Sequence, residues 1–173
     1  NMLYNIVDRI YIGHIPVVGQ TALTGVGVTF PIITLVSAFA AFAGQGGAPL
    51  ASIQLGAGKR EEAERILGSS TLLLLIMSVV LTVGFSIFQE PILWAFGASD
   101  ATIGYALDYI GIYLLGTIFV QFALGLNTFI SAQGKALVAM LSVLIGAILN
   151  IVLDPIFIFV FNWGVQGAAL ATI

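Results

Sequence analysis

Two polar side chains, Asn150 and Asp154, lie within an otherwise apolar stretch at 136–161. A carboxylate at the centre of a membrane helix costs about 2.5–3.5 kcal/mol on insertion scales, so such acids usually face a protein interior or a water-filled cavity. Because residues four apart share one helix face, the amide and the carboxylate are predicted to lie side by side. Pro155 has no N–H, which leaves the Ile151 carbonyl free to face a cation or water. The pattern predicts a small hydrophilic ion site.

The composition indicates that this site lies in a membrane protein. Hydrophobic residues make up 60% of the chain and charged residues only 8%, against about 25% charged in typical soluble domains. The net charge of −3 and the five scattered Lys and Arg residues argue against a nucleic-acid partner. The chain has no Cys, one His and no HExxH motif, which argues against an intramembrane enzyme. We therefore expect an all-α polytopic protein within a lipid bilayer.

Apolar segments near the length of about 20 residues that crosses the hydrocarbon core predict six membrane spans. The second segment, 21–55, is too long for one perpendicular crossing, so we expect it to project, tilt or bend at Pro31 or at 44–49. Residues 89–108 are predicted to form a loop. The sequence begins and ends within helix-like segments, so we expect incomplete first and sixth helices. The predicted spans are 1–12, 21–43 with an extension to 55, 66–88, 109–133, 136–161 and 165–173.

The distribution of positive charge predicts the orientation. Every Lys and all but one Arg fall near 56–65 and 134–135. We expect the protein to lie in the inner (plasma) membrane of the cell, and the positive-inside rule then places these two segments in the cytoplasm. At a 1.5 Å rise per residue, Asp8, Asp154 and Thr172 then lie about 10 Å below the outer surface. Equal depth permits, but does not require, a shared site.

The candidate site residues also have structural interpretations. Asp154 could pair with a polar neighbour or lie among lipid headgroups, although its depth favours an ion site. Asn150 could join two helices by hydrogen bonding, although its spacing from Asp154 favours the site. Arg9 directly follows Asp8, and adjacent residues do not share a helix face. We therefore expect Arg9 to extend outward while Asp8 faces the interior.

Motifs along the whole chain resemble those of the multidrug and toxic compound extrusion (MATE) family of cation-coupled transporters. They are Tyr-Asn-Ile-Val-Asp at 4–8 followed by Ile-Gly at 12–13, Leu-Gly-Ala-Gly at 55–58 followed by Glu-Ala at 62–63, the Gly-Ala, Leu-Asn-Ile and Leu-Asp-Pro-Ile-Phe-Ile-Phe motifs within 146–159, and Gly-Val-Gln-Gly-Ala-Ala-Leu-Ala-Thr at 164–172. The resemblance implies the N-terminal lobe of a twelve-helix, two-lobed transporter, a six-helix transmembrane bundle whose partner would be a C-terminal lobe.

For function, the resemblance implies a cation-coupled multidrug efflux antiporter rather than an enzyme. Its substrates would be amphipathic organic small molecules, often cationic, exported by alternating access, with H⁺ or Na⁺ as the coupling ion and no cofactor. The family's cation site maps onto Asp8, Asn150, Asp154 and Thr172, which could hold Na⁺. Tyr109 corresponds to a position that lines the same cavity, although an interfacial aromatic belt explains it equally well.

Two alternatives remain open. A lipid-linked oligosaccharide flippase of the same wider superfamily would be expected to have more cationic residues in its cavity, whereas Arg9 is the only cation at membrane depth. In a non-transport membrane assembly subunit, the two buried acids would have no function.

Overall fold

A computed structural model describes residues 2–173, with side chains from residue 6 onward. Residue 1 of the predicted first span and the side chains of Tyr4 and Asn5 lie outside the described residues. Within the described range the chain forms eight α-helices and no strands, which confirms the all-α fold class. The helices are α1 (Met2–Gly13), α2 (Gly19–Val28), α3 (Phe30–Gly56), α4 (Arg60–Ala95), α5 (Ile103–Leu115), α6 (Thr117–Ala132), α7 (Ala136–Pro155), which a π-helical turn (Ile156–Val160) continues, and α8 (Gly164–Thr172).

The predicted second span is divided into α2 and α3 at Thr29. Pro31 cannot donate to the carbonyl four residues earlier, and the Thr29 hydroxyl donates to the Val26 carbonyl at 2.7 Å. Pro49, by contrast, lies inside the uninterrupted α3. The helix is therefore interrupted beside Pro31 and continuous through 44–49.

Two of the glycines within 44–49, Gly44 and Gly47, allow close helix packing. A Cβ on Gly44 would lie 2.7 Å from the Gly125 carbonyl oxygen of α6, and a Cβ on Gly47 would lie 2.7 Å from the Phe129 ring. Only a residue without a side chain allows α3 and α6 to approach this closely, as is common between membrane helices.

The helix α4 is longer than the predicted span 66–88 at both ends. At its start, Arg60 pairs with Glu64 at 2.8 Å and Arg65 pairs with Glu61 at 3.0 Å. Ion pairs four residues apart stabilise a helix. The sequence of 56–65 predicts a loop followed by a short surface helix, and the structure joins that helix to the span, because its charged residues form the first turns of α4.

At its other end α4 continues through Pro91 and ends before Gly97, whose φ of 99° favours glycine. The predicted loop 89–108 is therefore wrong at both ends, because α4 occupies its beginning and α5 its end. Asp108 consequently lies on α5 rather than in a loop. Its carboxylate accepts a hydrogen bond from Gln166 of α8 at 3.2 Å.

The predicted fourth span, 109–133, is two helices rather than one. The helices α5 and α6 meet at Gly116 with a bend of 58°. At the bend, the Thr82 hydroxyl of α4 donates to the Leu114 carbonyl at 3.0 Å, which satisfies an acceptor at the end of α5. The bend thus depends on a neighbouring helix.

Among residues 2–173, three elements are long and apolar enough to cross a membrane, namely α3, α4 and α7 with its π turn, and α5 with α6 would form a fourth as a broken span. Many large apolar side chains of α4 and α7 are exposed, as expected for surfaces that face lipid. The largest buried apolar cluster packs α1, α2, α5 and α8 together. A polar group lies beside this cluster.

Candidate cation-binding site

Asp8 is the centre of a buried polar group formed by four helices. Its side chain accepts a hydrogen bond from the Thr172 hydroxyl of α8 at 2.6 Å and from the Tyr109 hydroxyl of α5 at 3.4 Å, both at Oδ2. The Asn150 amide nitrogen of α7 donates to Oδ1 at 3.3 Å. Asp8 is only 2% exposed. A buried carboxylate requires such donors, because an unpaired charge away from water is costly.

Asn150 also contacts the second acid. Its amide nitrogen donates to Asp154 Oδ1 at 3.4 Å, and Asp154 is completely buried. The spacing of four residues places both side chains on the face of α7 that packs towards α1, as the sequence predicts. The Asp8 and Asp154 carboxyl groups are therefore neighbours on either side of the Asn150 amide nitrogen. Two carboxylates this close repel each other unless a proton or cation lies between them.

Two oxygen atoms of this group have no protein partner. Asn150 Oδ1 and Asp154 Oδ2 are buried, and neither accepts a hydrogen bond from the described residues. Buried polar atoms almost always have a partner, so an unpaired one calls for an explanation such as an ion or water. Carboxylate and amide oxygens suit a hard cation. The residues present therefore fit a proton or Na⁺.

Thr172 and Tyr109 complete the group in different ways. The Thr172 hydroxyl lies 2.9 Å from the Ala168 carbonyl of its own helix as well as close to Asp8. Tyr109 is 2% exposed and its ring stacks on Tyr113 at 6.4 Å between centroids. This burial excludes an interfacial aromatic belt for Tyr109, because such a side chain would reach the lipid headgroups.

Arg9 lies outside the group, although it follows Asp8 in the sequence. Its side chain is exposed, and its guanidinium lies 5.4 Å from the centre of the Phe30 ring. A cation over an aromatic face is weakly attracted to it. The prediction that Arg9 points outward while Asp8 faces the interior is confirmed.

A cavity of about 540 Å³ adjoins the polar group between α6, α7 and α8. Its size falls within the range of about 300–1,000 Å³ that is typical of small-molecule sites. Asn150 and Thr172 line this cavity as well as contacting Asp8, whereas Tyr109 does not line it. The cavity and the acids are therefore connected by shared side chains.

The sequence interpretation missed two polar residues of this cavity. Asn127 of α6 donates to the Ala139 carbonyl at 3.1 Å and to the Ser142 hydroxyl at 3.2 Å, and both Asn127 and Ser142 line the cavity. An amide within a predicted span is a detectable signal. The side of the helix on which Asn127 lies could not be predicted, because α6 begins at a bend that the sequence interpretation did not include.

Comparisons with known proteins identify relatives of this chain. The MatE family model matches residues 1–156. Over 172 residues the chain is 31% identical to a protein of Staphylococcus haemolyticus described as multidrug export protein MepA, covering 99% of this chain and 38% of that protein. It is 26% identical over 174 residues to a protein of Shewanella oneidensis described as an FAD transporter, covering 98% of this chain and 38% of that protein.

Solved structures have the same fold. One is described as the inward-facing conformation of a multidrug resistance MATE family transporter of the MOP superfamily. It superposes with a TM-score of 0.92 at 34% sequence identity, over 98% of this chain and 38% of that chain. The chain thus spans about 38% of the length of the curated relatives it matches. With the family model matched over 156 of its residues, the chain belongs to the MatE family of membrane transporters.

Proposed function

We propose that this chain is the N-terminal lobe of a cation-coupled antiporter that exports amphipathic organic compounds. The four residues Asp8, Asn150, Asp154 and Thr172 form the cation site of this lobe, and the coupling ion is H⁺ or Na⁺. Three facts support the proposal: the multidrug export relative, the coverage of about 38% of each relative, and the buried acids with their unpaired oxygens.

The observation that carries the proposal is that Asn150 and Thr172 serve both the acids and the cavity. A substrate that contacts these side chains changes the hydrogen bonds available to Asp8. Conversely, a cation held at the acids engages the Asn150 and Thr172 side chains, which are then less available to a substrate in the cavity. Substrate and cation thereby influence each other's affinity, and this influence is necessarily reciprocal.

Alternating access follows if the cation binds the two conformations with unequal affinity. A ligand that binds both conformations equally shifts nothing. In a conformation that admits water, Asp8 and Asp154 remain ionised at little cost, whereas in a closed one their charge must be neutralised. Exchange of substrate for a cation then drives the lobes between outward-open and inward-open packings.

The group accommodates either ion through different atoms. A proton would bind to one of the neighbouring Asp8 and Asp154 carboxyl groups and so remove one of their two like charges. Na⁺ would be held by Asn150 Oδ1 and Asp154 Oδ2, the two buried oxygens that lack a protein partner. The same four residues serve in both cases.

The cavity favours organic cations over an anionic substrate. Its lining includes no Lys, Arg or His, whereas a dinucleotide such as FAD carries a pyrophosphate that is normally bound by cationic side chains or a helix N-terminus. The same argument disfavours a lipid-linked oligosaccharide. An amphipathic cation instead finds apolar walls, the Asn127 amide and, beyond Asn150, two carboxylates.

We propose that the end of the bundle with Lys59, Arg60, Arg65 and Lys135 faces the cytoplasm. Asp8 then lies in the outer half of the inner (plasma) membrane. Coupling to an inward cation gradient suits this position, since the ion reaches the acids from outside.

Substrate efflux by the full-length protein tests the proposal. Asp8→Asn and Asp154→Asn keep the size of each side chain and remove its charge, and we expect each to abolish cation-driven efflux. Asp108→Asn is the matched control, because Asp108 is exposed on α5 and contacts Gln166 rather than the polar group. Efflux that stays unimpaired and cation-dependent in both site variants would overturn the proposed mechanism.

A further inference from the structure

The turn between α7 and α8 is wound more widely than an α-helix. The Phe161 N–H donates to the Ile156 carbonyl, five residues earlier, at 3.0 Å, and the Trp163 N–H donates to the Phe157 carbonyl at 3.1 Å. Such π-helical turns often occur at functional sites. This one begins directly after Asp154 and Pro155, so its backbone continues the segment that carries the second acid of the site.

The helix α8 packs directly against this turn at Gly167. Gly167 is buried, and a Cβ added to it would lie 2.8 Å from both the carbonyl carbon and the carbonyl oxygen of Phe157. It would also lie 3.0 Å from Phe157 Cβ. Because the obstructing atoms are mainly backbone, no rotamer change can make room, and one of the two segments would have to move.

We propose that Gly167 is a positioning residue for the cation site. Phe157 follows Asp154 by three residues, and Gly167 precedes Thr172 by five on the same short helix. The close crossing therefore fixes the distance between the segments that carry Asp154 and Thr172. Gly167 acts through Thr172, because only a helix this close to the π turn brings that hydroxyl to Asp8.

The distances make the effect measurable. An ordinary Cβ contact is 3.4–4 Å, so an Ala at Gly167 requires α8 or the turn to move by a few tenths of an ångström or more. The Thr172 hydroxyl now lies 2.6 Å from Asp8. A movement of about 1 Å takes this contact beyond hydrogen-bonding distance, whereas the chemical groups of the site are unchanged.

This inference rests on the proposed function, and its test uses the full-length transporter. The measured quantity is the concentration of coupling cation at half-maximal efflux. We expect Gly167→Ala to lower it by about tenfold, the factor that loss of one hydrogen bond to a charged group produces, because the ionised Asp8 carboxylate loses a donor that the neutralised form needs less. Gly111→Ala is the matched control, since an added Cβ there meets no atom within 4 Å, and it should leave the value unchanged.

A background variant separates positioning from general damage. Thr172→Val removes the hydroxyl while preserving the shape of the side chain, and we expect it to lower the same half-maximal cation concentration by itself. If Gly167 acts through Thr172, then Gly167→Ala should not change the half-maximal cation concentration further in the Thr172→Val background. A double-mutant cycle measures this coupling directly.

The outcomes distinguish the two proposals. No effect of Thr172→Val would contradict the cation site itself. The positioning role alone would be overturned if Thr172→Val has an effect but Gly167→Ala does not change the half-maximal cation concentration. It would also be overturned if Gly167→Ala has the same effect with and without the Thr172 hydroxyl. If Gly167→Ala does not fold, Trp163→Ala replaces it. The Trp163 ring packs at a tilt against Phe157, 5.6 Å between centroids, and stacks on Phe161 at 5.2 Å, so it contacts the same turn. Trp163→Ala should shift the half-maximal cation concentration in the same direction, again only when Thr172 is present. An equal shift in the Thr172→Val background would likewise overturn the positioning role.

Discussion

Asp8 of α1 and Asp154 of α7 accept hydrogen bonds from the same atom, the amide nitrogen of Asn150, at 3.3 and 3.4 Å. One side chain thus holds together two acids from distant parts of the sequence. The amide oxygen of Asn150 and the Oδ2 of Asp154 remain without protein partners. This arrangement provides both a fixed spacing between the acids and free oxygens for a cation.

The first prediction concerns this shared donor. Asn150→Ala removes a hydrogen bond to each ionised acid, and hydrogen bonds to charged groups are worth about 1.5–3 kcal/mol, so a coupling proton should bind about tenfold more tightly or more. Coupling Na⁺ should instead bind more weakly, because it loses the Asn150 Oδ1 ligand. The measurement is efflux by the full-length protein as a function of the Na⁺ concentration or the proton gradient.

Asn127→Ala is the corresponding control in the cavity. Asn127 lines the cavity but bonds to Ala139 and Ser142 rather than to an acid. We expect this variant to raise the KM for substrate and to leave cation dependence unchanged. Equal effects of the two variants on cation dependence would contradict the division between site and cavity.

The second prediction concerns the packing of α3 against α6. Gly44→Ala places a Cβ 2.7 Å from the Gly125 carbonyl oxygen, and overpacking of this kind costs about 1–3 kcal/mol. Gly46→Ala, two residues along the same helix, meets no atom within 4 Å and should be neutral or slightly stabilising because Ala favours helix more than Gly does.

Thermal unfolding of the detergent-solubilised full-length protein compares the two variants. The midpoint should fall for Gly44→Ala and should remain the same or rise for Gly46→Ala. A reversed order would mean that α3 and α6 do not approach each other as described.

The spacing within α7 was enough to predict part of the site. Asn150 and Asp154 share a helix face by geometry alone, and the cost of a buried charge identified Asp154 as unusual. The partners on other helices could not be derived in this way. Equal depth made Asp8 and Thr172 possible neighbours, and the family resemblance selected them.

The helix breaks were harder to predict, because they depend on contacts between helices. Pro91 lies inside a continuous helix, whereas Pro31 lies beside a real break. The bend at Gly116 is accompanied by the hydrogen bond from Thr82 to the Leu114 carbonyl. Local sequence contains the proline or glycine but not the neighbouring donor that determines whether the helix continues.

The third prediction concerns orientation in the membrane. Lys59 lies between α3 and α4, and Ser99 lies between α4 and α5 at the opposite end of α4. In full-length protein without other reactive thiols, Ser99→Cys should react with a membrane-impermeant maleimide added to intact cells. Lys59→Cys should react only after the membrane is opened. The reverse pattern would invert the proposed topology and place Asp8 in the inner half of the membrane.

The central claim is that substrate in the cavity and a cation between the acids influence each other. Its most direct test is ion release from purified full-length protein when a lipophilic organic cation such as ethidium is added in weak buffer. Reciprocal coupling predicts release of on the order of one H⁺ or Na⁺ per protein, and no release from the Asp8→Asn, Asp154→Asn double variant. Tight substrate binding without ion release from the wild-type protein, or equal release from the double variant, would contradict the claim.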